Sequence, residues 1–179
     1  EQLKSAVEAD YGQVANWPNL SELKNKLDGV ALLKCCPDQV RAYVISFGER
    51  ISVALMECML KQSNARYLEA TECIASVGGY IDAEADLNVS KLRFQEALKA
   101  APSTIYIMPG FTAANEQGEL TTLGRNGSDY SAAIAAACLD ADVCQIWTDV
   151  DGVYNADPRY IKKASKVDSL SYKEAMELS

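Results

Sequence analysis

Apolar positions recur at helical spacing over the first third of the chain. Residues 1–15 and 20–28 have this pattern on a strongly charged background, with Trp17 and Pro18 between them, which predicts two amphipathic covering helices. From Asp38 to about residue 62 the spacing is again helical, but Gly48 interrupts it. Because glycine weakens a helix interior, we expect a break or kink at Gly48 and a fresh helix after it.

The rest of the chain alternates short apolar runs with helix formers. Residues 66–70, 104–108 and 143–147 are predicted as strands, the last two of them buried, and a turn at 116–118 leads into an apolar stretch at 120–123. Strands that alternate with helices are typical of an α/β protein with a mostly parallel sheet covered on both faces.

Two of the later helices have recognisable starts, and a third segment consists of helix formers. Ser90 is predicted to cap a helix over 91–100, and residues 128–141 are almost entirely helix formers. Ser171 and Glu174 have the spacing of a capping box, which predicts the start of a last helix.

Composition excludes several function classes. The net charge of −8 over 179 residues argues against nucleic acid or an anionic membrane surface as partner. The chain contains no histidine, which removes Ser/His and Cys/His catalysis, and its six cysteines form no CxxC pair, so no metal site is expected. Cys58 and Cys138 lie in apolar helical runs and are predicted to be buried thiols of a cytoplasmic protein.

A candidate ligand site lies where the segment Gly124–Asp129 enters a helix. Gly124, Asn126 and Gly127 can adopt positive φ and turn backbone N–H groups toward a ligand, and the helix start favours an anion. Arg125 could bind a carboxylate, and Asp129 could bind an ammonium group. These are the groups that an amino-acid substrate requires, although a surface arginine beside an ordinary helix cap fits the residues equally well.

A second junction follows the predicted strand at 143–147. Thr148 and Asp149 end that run, an Asp-Gly turn follows, and Tyr154, Asp157 and Arg159 lie on a loop with Pro158. Polar groups just past the carboxyl end of a strand are typical of ligand sites in α/β proteins. An EF-hand is excluded because Tyr160 stands where its glutamate is needed, and the chain has no Walker or dinucleotide motif. A plain turn explains the Asp-Gly pair but not the residues after it.

Taken together, these two blocks resemble the aspartate kinases, and more specifically the kinase part of bifunctional aspartokinase–homoserine dehydrogenases. The match is dense over Ser46–Glu49 and 110–159 and continues through 172–179, whereas the first 35 or so residues carry no family signature. The resemblance implies the amino-acid-kinase (carbamate-kinase-like) fold, a three-layer αβα sandwich around a mostly parallel sheet. It implies phosphoryl transfer from Mg-ATP to L-aspartate in lysine, threonine and methionine biosynthesis.

The resemblance also implies roles for individual residues. Arg125 would bind the substrate carboxylate, Glu49 and Asp129 would face its amino group, and Phe111 and Ser128 would line the same pocket. The nucleotide would be held by four residues, with Asp157 shaping their loop: Thr148, Asp149, Tyr154 and Arg159. Without the resemblance, Glu49 reads only as a favourable charge at a helix start.

Departures from the family qualify this interpretation. The chain lacks the Lys-Phe-Gly-Gly phosphate-binding motif of aspartate kinases and their later Phe-Gly-Ala-Lys segment. We therefore expect one partial catalytic domain over 1–179, with a helical cover at 1–36 and the half-sites at 37–179, that is inactive alone. Its parent would be a homo-oligomer, with NADP bound by any dehydrogenase part and not by this chain. Alternatives are a sister kinase with another acceptor and a non-catalytic regulatory or assembly module.

Overall fold

The computed structural model describes residues 1–148, 152–171 and 173–174. The chain divides into two compact units, Glu1–Cys144 and Gln145–Ser179, and each is described by itself. Within the described residues no helix has the length and apolar character needed to cross a membrane.

Three helices begin the first unit. Helices α1 (Gln2–Tyr11) and α2 (Leu20–Leu33) confirm the two predicted amphipathic helices, and α3 runs over Asp38–Met59. Asn19 caps α2 by accepting hydrogen bonds from two backbone amides of its first turn. A small core between α1 and α3 includes Ala54, Leu55 and Cys58.

The predicted break at Gly48 is wrong, because α3 is one continuous helix. Gly48 is exposed, and a Cβ placed on it would meet nothing within 4 Å. The cost of glycine in a helix is about 1 kcal/mol, which the packing of the buried face of α3 offsets. Glu49 therefore lies inside the helix and not at a helix start.

Strands β1 (Ala65–Tyr67) and β4 (Ile105–Ile107) form a parallel pair, as expected for an α/β protein. They are shorter than predicted, and Ile105 is 40% exposed where a buried strand was expected. Strands β2 (Ser76–Val77) and β3 (Glu84–Ala85) pair antiparallel, as do β5 (Thr112–Ala114) and β6 (Leu120–Thr122). The described strands thus form three small sheets, of which one is parallel.

The remaining α-helices of this unit are α4 (Ala70–Cys73), α5 (Leu87–Ala100) and α6 (Gly127–Cys138). Asp86 caps α5, because its carboxylate accepts from the amides of residues 88 and 89. The prediction of Ser90 as cap is wrong: Ser90 is buried in the first turn, and its hydroxyl accepts from the Ala75 amide instead.

A second core lies among α4, α5, α6 and strand β5. Its buried members include Ile74, Phe94, Ala113 and Ile134. Helix α6 confirms the predicted helix over residues 128–141, and the hairpin of β5 and β6 confirms the turn at 116–118. This hairpin connects the end of β4 to the start of α6, and all the predicted substrate residues except Glu49 lie near its two ends.

The predicted buried strand at 143–147 is wrong. Val143 is 67% exposed and Trp147 is 88% exposed, and no described residue pairs with this segment. A strand forms only where a neighbour accepts its backbone hydrogen bonds, so an apolar β-branched composition alone does not produce one here. In the second unit the predicted capping box is present, since Ser171 and Glu174 exchange backbone-to-side-chain hydrogen bonds.

Candidate functional site

The loop before α6 has the backbone conformation that its sequence predicts. Gly124 has φ +72° and Asn126 has φ +55°, so both lie in the left-handed region. Gly127 is instead the first residue of α6. The two left-handed residues reverse the chain within three positions and bring the start of α6 back toward the end of β4.

Phe111 and Ser128 come together through two glycines. A Cβ on Gly110 would lie 2.8 Å from the Ser128 hydroxyl, and one on Gly127 would lie 2.7 Å from the Phe111 Cβ. Both glycines are therefore required by close packing. Phe111 has φ +53°, a conformation that bulky side chains rarely adopt. Such strain is maintained only where the surrounding structure enforces it, often at functional sites.

Ser131 enforces this conformation, and the sequence analysis did not identify it. The Phe111 amide donates a 2.8 Å hydrogen bond to the Ser131 hydroxyl, which donates to the Gly127 carbonyl at 2.7 Å. The Leu123 amide donates to the Phe111 carbonyl at 2.9 Å. Only the i→i+4 spacing of Gly127 and Ser131 in the sequence hinted at this contact.

The charged residues of the loop are exposed and unpaired. Arg125 and Asp129 make no hydrogen bond or ion pair with any residue in the described ranges, and the Ser128 hydroxyl is equally free among them. Asp129 lies in the first turn of α6. The helix start, a guanidinium and a carboxylate therefore lie within one turn, which suits a ligand carrying both an anion and a cation.

Glu49 is exposed on α3 and likewise has no partner among the described side chains. Helix α3 packs against β6, the strand that leads into the Gly124 loop. The structure thus connects the helix of Glu49 to the site through β6, and Glu49 and Arg125 form no ion pair with each other.

Glu119, a carboxylate that the sequence analysis did not identify, connects the hairpin of β5 and β6 to two other segments. It accepts hydrogen bonds from the Tyr80 hydroxyl at 2.6 Å, from Asn115 at 3.0 Å and from Gln39 at 2.8 Å. The bond from Tyr80, then that from Asn115, lowers the pKa of Glu119 below its usual value. The network fixes the hairpin to the first turn of α3 and to the loop after β2.

Near the carboxyl end of β1, Tyr67 donates to Glu69 at 3.0 Å, and Arg50 lies 4.0 Å from the same carboxylate. Burial, then the charge of Glu69, raises the pKa of Tyr67. Tyr67, Glu69 and Arg50 therefore connect β1 to α3. Arg50 is the residue directly after Glu49.

The predicted nucleotide residues lie at the start of the second unit, except Asp149, which lies outside the described residues. Asp157 accepts from the Arg159 amide at 2.8 Å and from its guanidinium at 2.9 Å. The guanidinium bonds are the largest cause of the lowered pKa of Asp157. Tyr154 pairs with Lys166 by an isolated backbone bridge, and Thr148 is exposed. The structure thus brings Asp157 and Arg159 together.

A cavity of 290 Å³ lies elsewhere in the first unit, lined by residues that include Gln13, Glu57, Lys61 and Arg66. None of the predicted substrate residues lines it. The candidate site is instead the open surface formed by the Gly124 loop, Phe111 and the start of α6.

Comparison with known proteins assigns the chain to a family. The profile of the amino acid kinase family matches residues 5–179. The chain belongs to the amino acid kinase family. One solved structure similar to this amino acid kinase chain is that of E. coli aspartokinase III in complex with aspartate and ADP, with a TM-score of 0.72 and 26% identity. That match covers 98% of this chain and 42% of the other. This chain has the α/β amino-acid-kinase fold.

Relatives with similar sequences show which proteins of the family the chain resembles. The chain is 48% identical over 162 residues to a bifunctional aspartokinase/homoserine dehydrogenase of Buchnera aphidicola, covering 89% of this chain and 20% of the relative. It is 39% identical to the Haemophilus influenzae bifunctional protein, covering 98% and 21%. The predicted resemblance to the kinase part of bifunctional aspartokinases is confirmed. The chain spans about a fifth of the length of these relatives.

Proposed function

We propose that this amino acid kinase chain contributes the aspartate site of an enzyme that transfers a phosphoryl group from Mg-ATP to the side-chain carboxylate of L-aspartate, giving 4-phospho-L-aspartate and ADP. The observation that carries the proposal is the pair of exposed charges of Arg125 and Asp129 at the start of α6, neither of which pairs with a described residue. The aspartate and ADP bound to the E. coli relative support it.

In this proposal Arg125 holds a substrate carboxylate through its planar pair of donors, assisted by the amides at the start of α6. Asp129 and Glu49 attract the ammonium group. Phe111 and Ser128, which the contacts of Gly110 and Gly127 place side by side, form the wall against which the substrate lies.

The chemistry suits a chain without histidine. A substrate carboxylate has a pKa near 3.9 and is ionised at neutral pH, so it attacks phosphorus without a general base. Phosphoryl transfer then depends on position and on neutralising the phosphate charge. The residues of this chain therefore act by binding and orienting the substrate.

The second unit would contribute half of the nucleotide site, through Thr148, Asp149, Tyr154 and Arg159. The bonds from Arg159 to Asp157 pre-orient the arginine. Mg²⁺ in kinases is held largely by phosphate oxygens, water and one or two carboxylates, so no dedicated cage is needed.

The activity of a whole enzyme is proposed for the longer protein whose kinase part this chain matches. For that protein we propose a three-layer αβα sandwich, a homo-oligomer in the cytoplasm and, if it is bifunctional, a homoserine dehydrogenase that uses NADP. The 179 residues themselves form a partial catalytic domain without turnover of their own.

The test is ADP release from Mg-ATP by the full-length natural protein, with L-aspartate or L-glutamate as acceptor. We expect aspartate-dependent turnover that Arg125→Ala reduces about 10- to 100-fold, the range of a lost charged hydrogen-bond pair. The matched control is Arg41→Ala, which removes another exposed arginine, on α3.

Turnover with glutamate alone would assign the protein to a sister kinase, and no turnover with either acceptor would support a non-catalytic module. Turnover by the isolated 179 residues would refute their proposed inactivity.

A further inference from the structure

Asp82 is held against the candidate site by the backbone on both sides of it. It forms an isolated antiparallel bridge with Leu123, and the Ala83 amide donates to the Thr122 carbonyl at 2.9 Å. On the other side, the Thr122 hydroxyl donates to the Ile81 carbonyl at 2.7 Å. The position of Asp82 is therefore fixed relative to the strand that leads into the Gly124 loop.

The side chain of Asp82 lies directly over that loop. Its Oδ1 would be 2.7 Å from a Cβ placed on Gly124. Glycine is therefore required at position 124 for two reasons. Its φ is positive, and the Asp82 carboxylate leaves no room for a Cβ. The carboxylate of Asp82 therefore lies next to Gly124, the residue before Arg125. Asp129 follows Arg125 in the sequence.

None of these three charges neutralises another. Asp82 is exposed and makes no hydrogen bond or ion pair with a described residue, as holds for Arg125 and Asp129. Opposite charges that lie around one loop without pairing remain available to a ligand. Two carboxylates and one guanidinium suit a zwitterionic ligand better than a simple anion. A second negative charge on the ligand would be repelled by a carboxylate on either side of the arginine.

We propose that Asp82 is a specificity-determining residue of this site, which favours substrates with an ammonium group and disfavours dicarboxylates that lack one. The inference rests on the proposed function and names a residue that selects its substrate class. Asp82 acts through charge alone, since its geometry is set by the backbone.

The test compares L-aspartate with succinate, which keeps both carboxylates and lacks the amine. Binding of each to the 179-residue chain is followed by NMR chemical shifts, which report millimolar affinities. Asp82→Asn keeps the shape of the side chain and removes the charge. We expect it to weaken L-aspartate about three- to fivefold and to strengthen succinate by a similar factor, the range for an exposed charge pair.

Two further variants separate a local effect from a general one. Asp82→Glu keeps the charge and should retain the preference for L-aspartate. Asp142→Asn removes an exposed carboxylate beyond the opposite end of α6, about 18 Å along the helix, and should leave the ratio of the two affinities unchanged. Circular dichroism checks that each variant is folded.

The outcomes distinguish this inference from the proposed function. If the wild type binds L-aspartate and Arg125→Ala abolishes binding, while Asp82→Asn leaves the ratio to succinate unchanged, the role of Asp82 is overturned and the site stands. The same holds if Asp142→Asn shifts the ratio as much as Asp82→Asn. If the wild type binds neither ligand, the role of Asp82 is overturned, and the ADP-release test on the full-length protein decides the proposed function separately.

Discussion

The Phe111 amide donates a hydrogen bond to the Ser131 hydroxyl, 20 residues further along the chain. This bond fixes a strained left-handed residue on the wall of the candidate site. It also joins the end of β4 to the first turns of α6, because Ser131 in turn donates to Gly127.

Ser131→Ala should lower both stability and affinity for L-aspartate. The substitution leaves the half-buried Phe111 amide without its acceptor, which costs about 1 kcal/mol, and it frees Phe111 to leave its strained conformation. Urea denaturation and an L-aspartate titration measure the two effects. The control is Ser52→Ala, where an exposed serine makes the same i→i−4 bond, to Gly48. Equal losses in both variants would contradict a specific role for Ser131.

Two glycine-to-alanine substitutions should change stability in opposite directions. Gly127→Ala places a Cβ 2.7 Å from that of Phe111, and such overpacking costs about 1–3 kcal/mol. Gly48→Ala meets open space inside α3 and should stabilise the protein by about 0.5–1 kcal/mol through helix propensity. Thermal denaturation of both variants decides the matter. A destabilising Gly48→Ala would show that α3 is broken there after all.

Glu119 should make stability depend on pH in the acid range. Its pKa is lowered in the folded state, chiefly by the Tyr80 hydroxyl, so its contribution is fully present above the unfolded value of about 4.5. The contribution is lost as the pH falls below that value toward the lower folded pKa. Glu119→Gln should flatten this part of the curve of urea midpoint against pH. Glu116→Gln, in the same turn, should leave the curve as in the wild type.

Three of the six thiols should react quickly with a thiol reagent in the folded chain. Cys35, Cys36 and Cys144 are exposed, whereas Cys58, Cys73 and Cys138 are buried. Burial raises the pKa of Cys73 to about 12, so this thiol stays protonated at pH 8 and resists the reagent. Because the folded pKa is raised, the stability that Cys73 contributes falls as the pH rises above about 9. Fast reaction of more than three thiols without denaturant would contradict the packing of both cores.

Sequence predicted those parts of the site that depend on local conformation. The left-handed Gly124 and Asn126 and the start of α6 follow from residue types within a few positions of each other. The parallel pairing of β1 and β4 followed from the alternation of strands and helices.

Features that depend on distant partners could not be predicted in the same way. Gly48 stays helical because the rest of α3 is packed, and residues 143–147 fail as a strand because nothing described pairs with them. The contacts of Asp82 with Gly124 and of Glu119 with Tyr80 join residues about 40 positions apart. No local pattern in the sequence marks such contacts.

The hairpin of β5 and β6 has a consequence for how the molecule folds. It closes a short loop between Phe111 and the start of α6, and the entropy lost on closing a loop grows only with the logarithm of its length. Contacts this local form early, whereas the packing of α1 on α3 joins more distant segments. We therefore expect the hairpin and the start of α6 to be ordered before the amino-terminal helices dock.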